Sequence, residues 1–230
     1  MLGDNKQNNG SIYLSINKSW LNFKENLNIF FDKKLNIFSC SLVIFLIFIA
    51  IFAPVLAPYE YDLVNPSNAL APPSLEHFMG TDTTGRDIFS RVLHGTTTSL
   101  SLALTTIIFG LLTGVSIGAI SGYFAGIVDE IIMRIVDVFM SIPGVILALA
   151  MVSILGPNPI YLVLALSIRR IIQFARVTRG VVLSIKELDY ISACHAIGVS
   201  HTKIIFMHIL PNCIGPIIAL STVLIGNVIL

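Results

Sequence analysis

Long apolar stretches without a formal charge make up most of the chain. Three of them cover residues 35–59, 92–128 and 138–168. A helix needs about 20 apolar residues to cross a bilayer core of about 30 Å, so each stretch is long enough to span a membrane. The pattern predicts an all-α, polytopic membrane protein built as a bundle of helices.

Five spans are predicted from these stretches and their interruptions. Residues 156–159, Gly-Pro-Asn-Pro, break the third stretch, because proline cannot continue a helix and Asn-Pro favours a turn. The last span is still apolar at Leu230, so we expect further C-terminal sequence. The predicted spans are residues 36–56, 99–123 and 130–155, a fourth from residue 160 and a fifth from residue 213.

The positions of Lys and Arg predict the orientation, because cytoplasmic segments carry an excess of both residues. With the N-terminus inside, ten of the fourteen lie in inside segments, two lie outside and two fall within the fourth span. The sequence therefore predicts a cytoplasmic N-terminus, an extracytoplasmic loop at residues 57–98 and a cytoplasmic loop at residues 184–212.

Composition narrows the class of protein further. The 230 residues are 55% hydrophobic and only 12% charged, against about 25% charged in soluble domains. The net charge of +1 gives no electrostatic basis for binding nucleic acid. Cys40, Cys194 and Cys213 lie far apart, which predicts neither a disulfide framework nor a zinc cluster. A soluble enzyme is not expected.

Residues 1–34 form the predicted N-terminal tail, and residues 35–230 the membrane domain. Apolar side chains recur in the tail at steps of three and four: Ile12, Ile16, Trp20, Phe23, Leu27 and Phe30. This stripe predicts an amphipathic helix that lies in the membrane interface, with lysines on its polar side.

Glycine occupies every fourth position of the second span, at Gly110, Gly114, Gly118 and Gly122. Removing side chains along one ribbon lets another helix backbone approach closely. Each step of four advances about 40° around the helix, so the glycines form a slanted ridge suited to a crossing helix.

The cytoplasmic loop between the fourth and fifth spans contains a run of small residues. The run predicts a short helix that Gly198 ends as a C-cap and a second helix that begins at Ser200 or Thr202. We call this segment the knob; it comprises Ser192, Ala193, Cys194, His195, Ala196, Ile197, Gly198, Val199 and Ser200. Small side chains would let another protein pack closely on it, whereas an ordinary helix–helix connection would have the same spacing.

The knob resembles a known motif. Residues 190–198, followed by Ile-Ile-Phe-Met-His-Ile-Leu-Pro-Asn at 204–212, are similar to the EAA loop of bacterial ABC importer permeases. In that family the loop forms the coupling helix that docks on the ATPase subunit. Three positions depart from the family pattern: Ser192 replaces the glutamate, Cys194 the second alanine and His195 the usual arginine.

A second motif lies in the predicted extracytoplasmic loop. The string GTDTTGRDIFSR at residues 80–91 is similar to one in the second permease subunit of the dipeptide, oligopeptide and nickel branch of the family. Its matching residues are Gly80, Thr81, Asp82, Gly85, Arg86, Asp87, Ser90 and Arg91. The resemblance covers roughly residues 35–230, and it implies a sixth span that this chain does not contain.

The resemblance implies the function and the partners. The chain would be the permease subunit of an ATP-driven importer in the bacterial cytoplasmic membrane, with peptide as substrate or, alternatively, nickel or a metal chelate. The partners implied are a second permease subunit, two ATPase subunits and an extracytoplasmic binding protein. No Gly-Lys pair occurs, so the chain has no phosphate-binding loop. We expect no catalytic residues and no bound cofactor here, and ATP to be used by the partners.

The remaining polar residues suggest few sites. His195, His201 and His208 lack the usual spacing of metal ligands, so no metal site is predicted. Arg134 and Asp137 are expected to form a local ion pair. Arg169 and Arg170 lie near the bilayer middle, where at least one of them could line the translocation path and attract a carboxylate; if the span is shifted, both would instead extend toward the cytoplasmic surface.

One alternative comes from another class of protein. A self-sufficient secondary carrier or channel should contain acidic residues near the bilayer midplane or internal repeats. The five predicted spans have no acid deep within them, and no repeat is evident. The sequence therefore favours a subunit of a larger importer.

Overall fold

The computed structural model describes residues 33–229. The predicted amphipathic helix of the tail lies outside the described residues. The chain divides into two compact units between Thr97 and Thr98, and each unit is described by itself. The described part is helical, with a single isolated bridge between Thr81 and Asp87.

The first unit contains one long apolar helix and a folded loop. Helix α1 spans Lys34–Leu56, and most of its side chains are exposed, as expected for a lone helix in lipid. Its last residue, Leu56, lies two residues after Pro54, and Ala57 is the C-cap. A short 3₁₀ turn at Pro66–Asn68 follows, and helix α2 begins at Ile88.

The second unit contains most of α2, which spans Ile88–Phe124, and all of the later helices. They are α3 at Gly126–Met140, α4 at Gly144–Leu155, α5 at Pro159–Lys186, α6 at Asp189–Ala196, α7 at His201–Ile204 and α8 at Leu210–Ile229, with a π-helical turn at Ile205–Ile209 before α8. Helix α5 lies at the centre of this unit and packs against α3, α4 and α8.

The glycine ridge of α2 lies directly against α5. A Cβ added at Gly114 would lie 2.6 Å from the carbonyl oxygen of Ile171, and one added at Gly118 would lie 2.3 Å from that of Ala175. Gly110 and Gly122 meet α5 in the same way one turn to either side. The ridge therefore brings the two backbones into contact over about three turns of helix.

The spans at residues 36–56 and 99–123 are confirmed by α1 and α2, but the predicted total of five spans needs correction. By length and composition, α1, α2 and the continuous helix His201–Ile229 can each cross a membrane. The predicted span at 130–155 is instead the pair α3 and α4, bent by 82°, because Pro143 interrupts the helix.

The predicted fourth span coincides with α5, which begins at Pro159 and has 28 residues, about 42 Å at 1.5 Å per residue and therefore long enough to cross a core of about 30 Å. Its four arginines alone keep it out of the set of strongly apolar helices. The fifth span begins at His201 rather than near Cys213, because the π-helical turn continues the helix through Leu210-Pro211.

Candidate functional site

The knob comprises the second half of α6 and the turn after it, which ends the helix with a Schellman motif. The Gly198 N–H donates to the carbonyl of His195 at 3.0 Å, and the Val199 N–H donates to that of Cys194 at 3.0 Å. Gly198 has φ +77°, a left-handed conformation that favours glycine. The short helix and its glycine stop therefore lie where the sequence places them.

Buried isoleucines on both sides hold the knob in place. Ile191 in α6 and Ile204 in α7 are fully buried in the core of the second unit. Between them Ile197 is 79% exposed, and its neighbours Ala196 and Gly198 are exposed as well. The result is an apolar tip on a rigid support, which is suited to contact with another protein.

A cluster that the sequence did not reveal joins the knob to the end of the ridge helix. The hydroxyl of Tyr123, in the last turn of α2, lies 2.6 Å from Nδ1 of His201 and 3.4 Å from Nε2 of His195. The two imidazole rings lie 5.6 Å apart on either side of the Gly198 turn. Tyr123 is more than seventy residues away in sequence, so no local pattern could have predicted the contact.

Replacing Tyr123 with phenylalanine is expected to loosen the knob. The change removes the hydroxyl, and a hydrogen bond of this kind contributes about 1 kcal/mol, which corresponds to about fivefold faster local opening. Hydrogen exchange of the amides at 195–201 measures this rate. Tyr161→Phe, the same change near the start of α5, is the matched control; equal exchange rates in the Tyr123 variant and this control would contradict the expectation.

The helix that leaves the knob contains the wide turn at Ile205–Ile209. The Leu210 N–H donates to the carbonyl of Ile205, five residues earlier, and Pro211 has no N–H to donate. The side-chain amide of Asn212 donates to the carbonyl of His208 at 2.6 Å. The Leu-Pro-Asn sequence thus combines a residue that cannot donate to the helix with a side-chain amide that donates an additional hydrogen bond to it.

Long-range ion pairs connect α3 to α5, and the predicted local pair between Arg134 and Asp137 is wrong. Asp137 accepts from Arg176, and Arg134 instead lies 3.9 Å from Glu130. Asp129 accepts from Arg179 through both carboxylate oxygens and also from the Ser121 hydroxyl. Spacing within α3 could not predict these pairs, because their partners are about forty to fifty residues away.

The motif at residues 80–91 folds into a compact turn around Asp82. This carboxylate accepts from the Thr84 and Arg86 backbone N–H groups at 2.9 and 3.0 Å and from the side chains of Thr84, Arg86 and Arg91. Gly80 and Gly85 both have positive φ, and a Cβ on Gly85 would lie 1.7 Å from the Asn65 carbonyl oxygen. The hydrogen bonds and ion pairs that hold this turn together therefore come mainly from residues of the motif itself.

Asp87 starts α2. Its carboxylate accepts from the Ser90 N–H at 2.7 Å and from His77 Nδ1 at 2.9 Å, so it caps the helix as aspartate commonly does. Fully buried Ser90 accepts from the Tyr59 N–H at 3.2 Å, and Thr81 accepts from the Ala71 N–H at 2.9 Å. These contacts tie the residues before the motif to the start of α2.

The electrostatics of the turn favour ionised carboxylates. Desolvation raises the pKa of Asp82, but hydrogen bonds from Arg86 and Thr84 outweigh this effect and hold the pKa well below its usual range. Desolvation likewise opposes ionisation of Asp87, and the hydrogen bonds from Ser90 and His77 leave its pKa lowered. Both groups therefore stabilise the folded loop only while they are charged.

This loop is expected to remain folded from neutral pH down to about pH 4 and to loosen below it. A carboxylate whose folded pKa lies below the usual 3.8 stabilises the fold above that pH, and this stabilisation is lost as pH falls through the lowered value. Pepsin cleavage within 57–98 should rise below pH 3.8, whereas Asp82→Asn should be cleaved at every pH tested. Asp62→Asn, in the same loop, is the control; a pH profile of Asp82→Asn that matches the control would contradict the expectation.

Arg169 and Arg170 point to different surroundings. Arg170 is 7% exposed; its Nη1 donates to Gln173 Oε1 at 2.9 Å, and its Nη2 donates to the Asn227 carbonyl at 3.4 Å. Its Nε has no partner among the described residues. Arg169 is exposed and lines a cavity beside Gly144.

Within residues 33–229 there is no cluster of three or more His, Cys, Asp or Glu side chains that could hold a metal ion.

Two family models match separate parts of the chain. Residues 114–230 match the binding-protein-dependent transport system inner membrane component. Residues 22–73 match the N-terminal TM domain of oligopeptide transport permease C. The first match includes Gly114, Gly118 and Gly122 of the ridge, the knob and Arg169, and the second includes α1.

Curated relatives agree with this assignment. A dipeptide transport system permease protein of Alkalihalophilus pseudofirmus is 41% identical over 197 residues, 86% of this chain and 65% of the relative. A glutathione transport system permease protein of Pectobacterium atrosepticum is 40% identical over 190 residues, 80% of this chain and 62% of the relative. An oligopeptide transport system permease protein of Bacillus subtilis is 34% identical over 212 residues, 92% of this chain and 70% of the relative.

The chain therefore spans about two thirds of the length of these relatives. The resemblance noted in the sequence is confirmed at the level of the family and of its peptide branch. The chain belongs to the family of binding-protein-dependent transport system inner membrane components.

Proposed function

We propose that this chain is the second permease subunit of an ATP-driven peptide importer. The observation that carries the proposal is the knob, whose exposed tip at Ile197 stands on a glycine turn held by buried Ile191 and Ile204. In a protein of this family, such a surface suits the contact through which a separate ATPase drives the membrane helices. The relatives reported above are named for dipeptide, glutathione and oligopeptide transport, which favours peptide over nickel.

The proposal includes the partners and the orientation. The chain would pair with another permease subunit, two ATPase subunits and an extracytoplasmic binding protein in the bacterial cytoplasmic membrane. The excess of Lys and Arg in the segments that would face inside supports a cytoplasmic N-terminus and a cytoplasmic knob. The Asp82 turn would then face the binding protein.

Site-specific crosslinking tests the contact. A single cysteine at Ile197, in a background without the three native cysteines, should crosslink to the ATPase subunit of the assembled complex. Leu75 is 93% exposed in the other loop, so a cysteine there is the matched control and should give no such product. Crosslinking of the Leu75 variant but not of the Ile197 variant to the ATPase would overturn both the contact and the orientation.

Reconstitution tests the function. The complex in proteoliposomes should accumulate peptide only with ATP and the binding protein, and this chain alone should hydrolyse no ATP, because it has no phosphate-binding loop. Uptake driven by an ion gradient without ATP would favour the secondary carrier instead.

A further inference from the structure

The break between α3 and α4 opens a small cavity beside α5. Its volume is about 140 Å³, and its apolar wall includes Met140, Ile142 and Leu147. A cavity of about 150 Å³ can hold a benzene molecule, so the space is sufficient for one apolar side chain. Three polar residues of α5 also line it: Arg169, Gln173 and Arg176.

Two arginines line this cavity, and the charge of Arg169 is the one that no described acidic side chain neutralises. Arg176 is paired with Asp137, so its charge is largely neutralised. Arg169 is exposed, and no ion pair or hydrogen bond joins its side chain to another described residue. A guanidinium offers five N–H donors and matches a carboxylate through two of them. The cavity therefore presents an open binding position for an anion.

Two neighbouring features increase the attraction for an anion. Gln173 Oε1 accepts from Arg170, which leaves the Gln173 amide nitrogen as a donor. Helix α4 begins at Gly144 without a side-chain cap, and a Cβ added at Gly144 would lie 3.1 Å from Arg169 Nη1. The positive end of the α4 dipole thus lies beside the guanidinium, and it adds to an attraction that Arg169 already provides.

The depth of Arg169 connects the cavity to transport. Arg169 lies ten residues after Pro159, where α5 begins, about 15 Å along a helix and therefore near the middle of a core of about 30 Å. A charged residue at such depth faces protein or a water-filled space rather than lipid and commonly marks a substrate path. Broken helices whose N-termini point at anionic substrate groups are a recurring arrangement at this depth.

We propose that Arg169 receives the carboxylate of a peptide during passage, while the apolar wall of the cavity takes the adjoining side chain. This inference rests on the proposed function of peptide import. The anionic headgroup of a lipid would offer the same chemistry to the guanidinium, so the test separates the two sources.

The experiment compares a dipeptide that has an apolar C-terminal residue with the same dipeptide as its C-terminal amide. Uptake by the complete complex in proteoliposomes is measured with the binding protein loaded equally with each. The quantity compared between variants is the ratio of acid uptake to amide uptake. Because every variant is measured with the same binding protein, any preference of that protein for one peptide affects all the ratios equally. Arg169→Gln should lower this ratio at least about tenfold, as expected for a lost charge-assisted hydrogen bond, and Arg169→Lys should retain part of it.

Two further variants sharpen the test. Gly144→Ala should also lower the ratio, because its Cβ displaces the Arg169 side chain, whereas Gly180→Ala on α5 adds a Cβ in open space and should not. Arg134→Gln removes an exposed arginine outside the cavity and is the control for net charge.

The outcomes are distinct. If Arg169→Gln leaves the ratio of acid to amide uptake unchanged, whether or not both uptakes fall, Arg169 does not receive the peptide carboxylate. That outcome would point to a lipid or structural partner for Arg169, while peptide import itself would stand. Absence of ATP-dependent uptake of either peptide by the wild-type complex would overturn the proposed function, and this inference with it.

Discussion

Replacing Gly118 with alanine is expected to destabilise the packing of α2 on α5 by about 2 kcal/mol. The new Cβ would lie 2.3 Å from the carbonyl oxygen of Ala175 and 2.9 Å from Cβ of Thr178. Because the first of these is a backbone atom, the helices must separate, and overpacking of this kind costs about 1–3 kcal/mol. The midpoint temperature for loss of monodisperse protein in detergent measures the effect.

Gly95 provides the matched control, because it lies in the same helix and an added Cβ would meet nothing within 4 Å. Gly95→Ala should be neutral or stabilising by up to about 1 kcal/mol, since alanine favours helix. If Gly118→Ala and Gly95→Ala shifted the midpoint temperature in the same direction and by the same amount, close approach along the ridge would not stabilise the fold.

Replacing Gly198 with valine is expected to abolish transport while the chain still inserts and assembles. Gly198 has φ +77° and open space around it, so the cost arises from the backbone rather than from a collision. A β-branched residue is strained in this conformation by about 1–2 kcal/mol. The Schellman motif should open, and Ile197 should leave the position from which we propose it contacts the ATPase.

Asparagine separates strain from bulk, because it tolerates the left-handed conformation. Gly198→Asn should retain most of the peptide uptake and peptide-stimulated ATPase activity of the complex. Gly215→Val places the same side chain in open space within α8 and serves as the second control. Wild-type uptake with Gly198→Val would show that the geometry of the turn is not needed for coupling.

The features that could be predicted from sequence are those with a repeating pattern. Charge-free stretches predicted α1 and α2, because membrane spans require continuous apolar residues. The glycines of α2 predicted a close crossing, although their partner α5 could not be named from spacing alone. Gly198 predicted the end of α6 for a similarly local reason, since a left-handed residue commonly follows a helix.

The features that could not be predicted depend on residues distant in sequence. Asp137 is close to Arg134 along α3, yet its partner is Arg176 on another helix. Tyr123 contacts His195 and His201 only because α2 ends beside the knob. The predicted span at 130–155 is continuous in its apolar residues, yet the missing N–H of Pro143 breaks the helix there.

The π-helical turn has a consequence for the phase of the last helix. Ile204 and Ile209 are both fully buried, but five residues of a regular α-helix would set them about 140° apart around its axis. The wider turn corrects this offset by accommodating one extra residue. Deleting one residue from 205–209 should therefore restore a regular helix with these two isoleucines only about 40° apart, which keeps the knob facing the same way. Forcing the same five residues into a regular helix without the wide turn would instead rotate the knob by about 100°, so the turn determines the direction in which the knob faces.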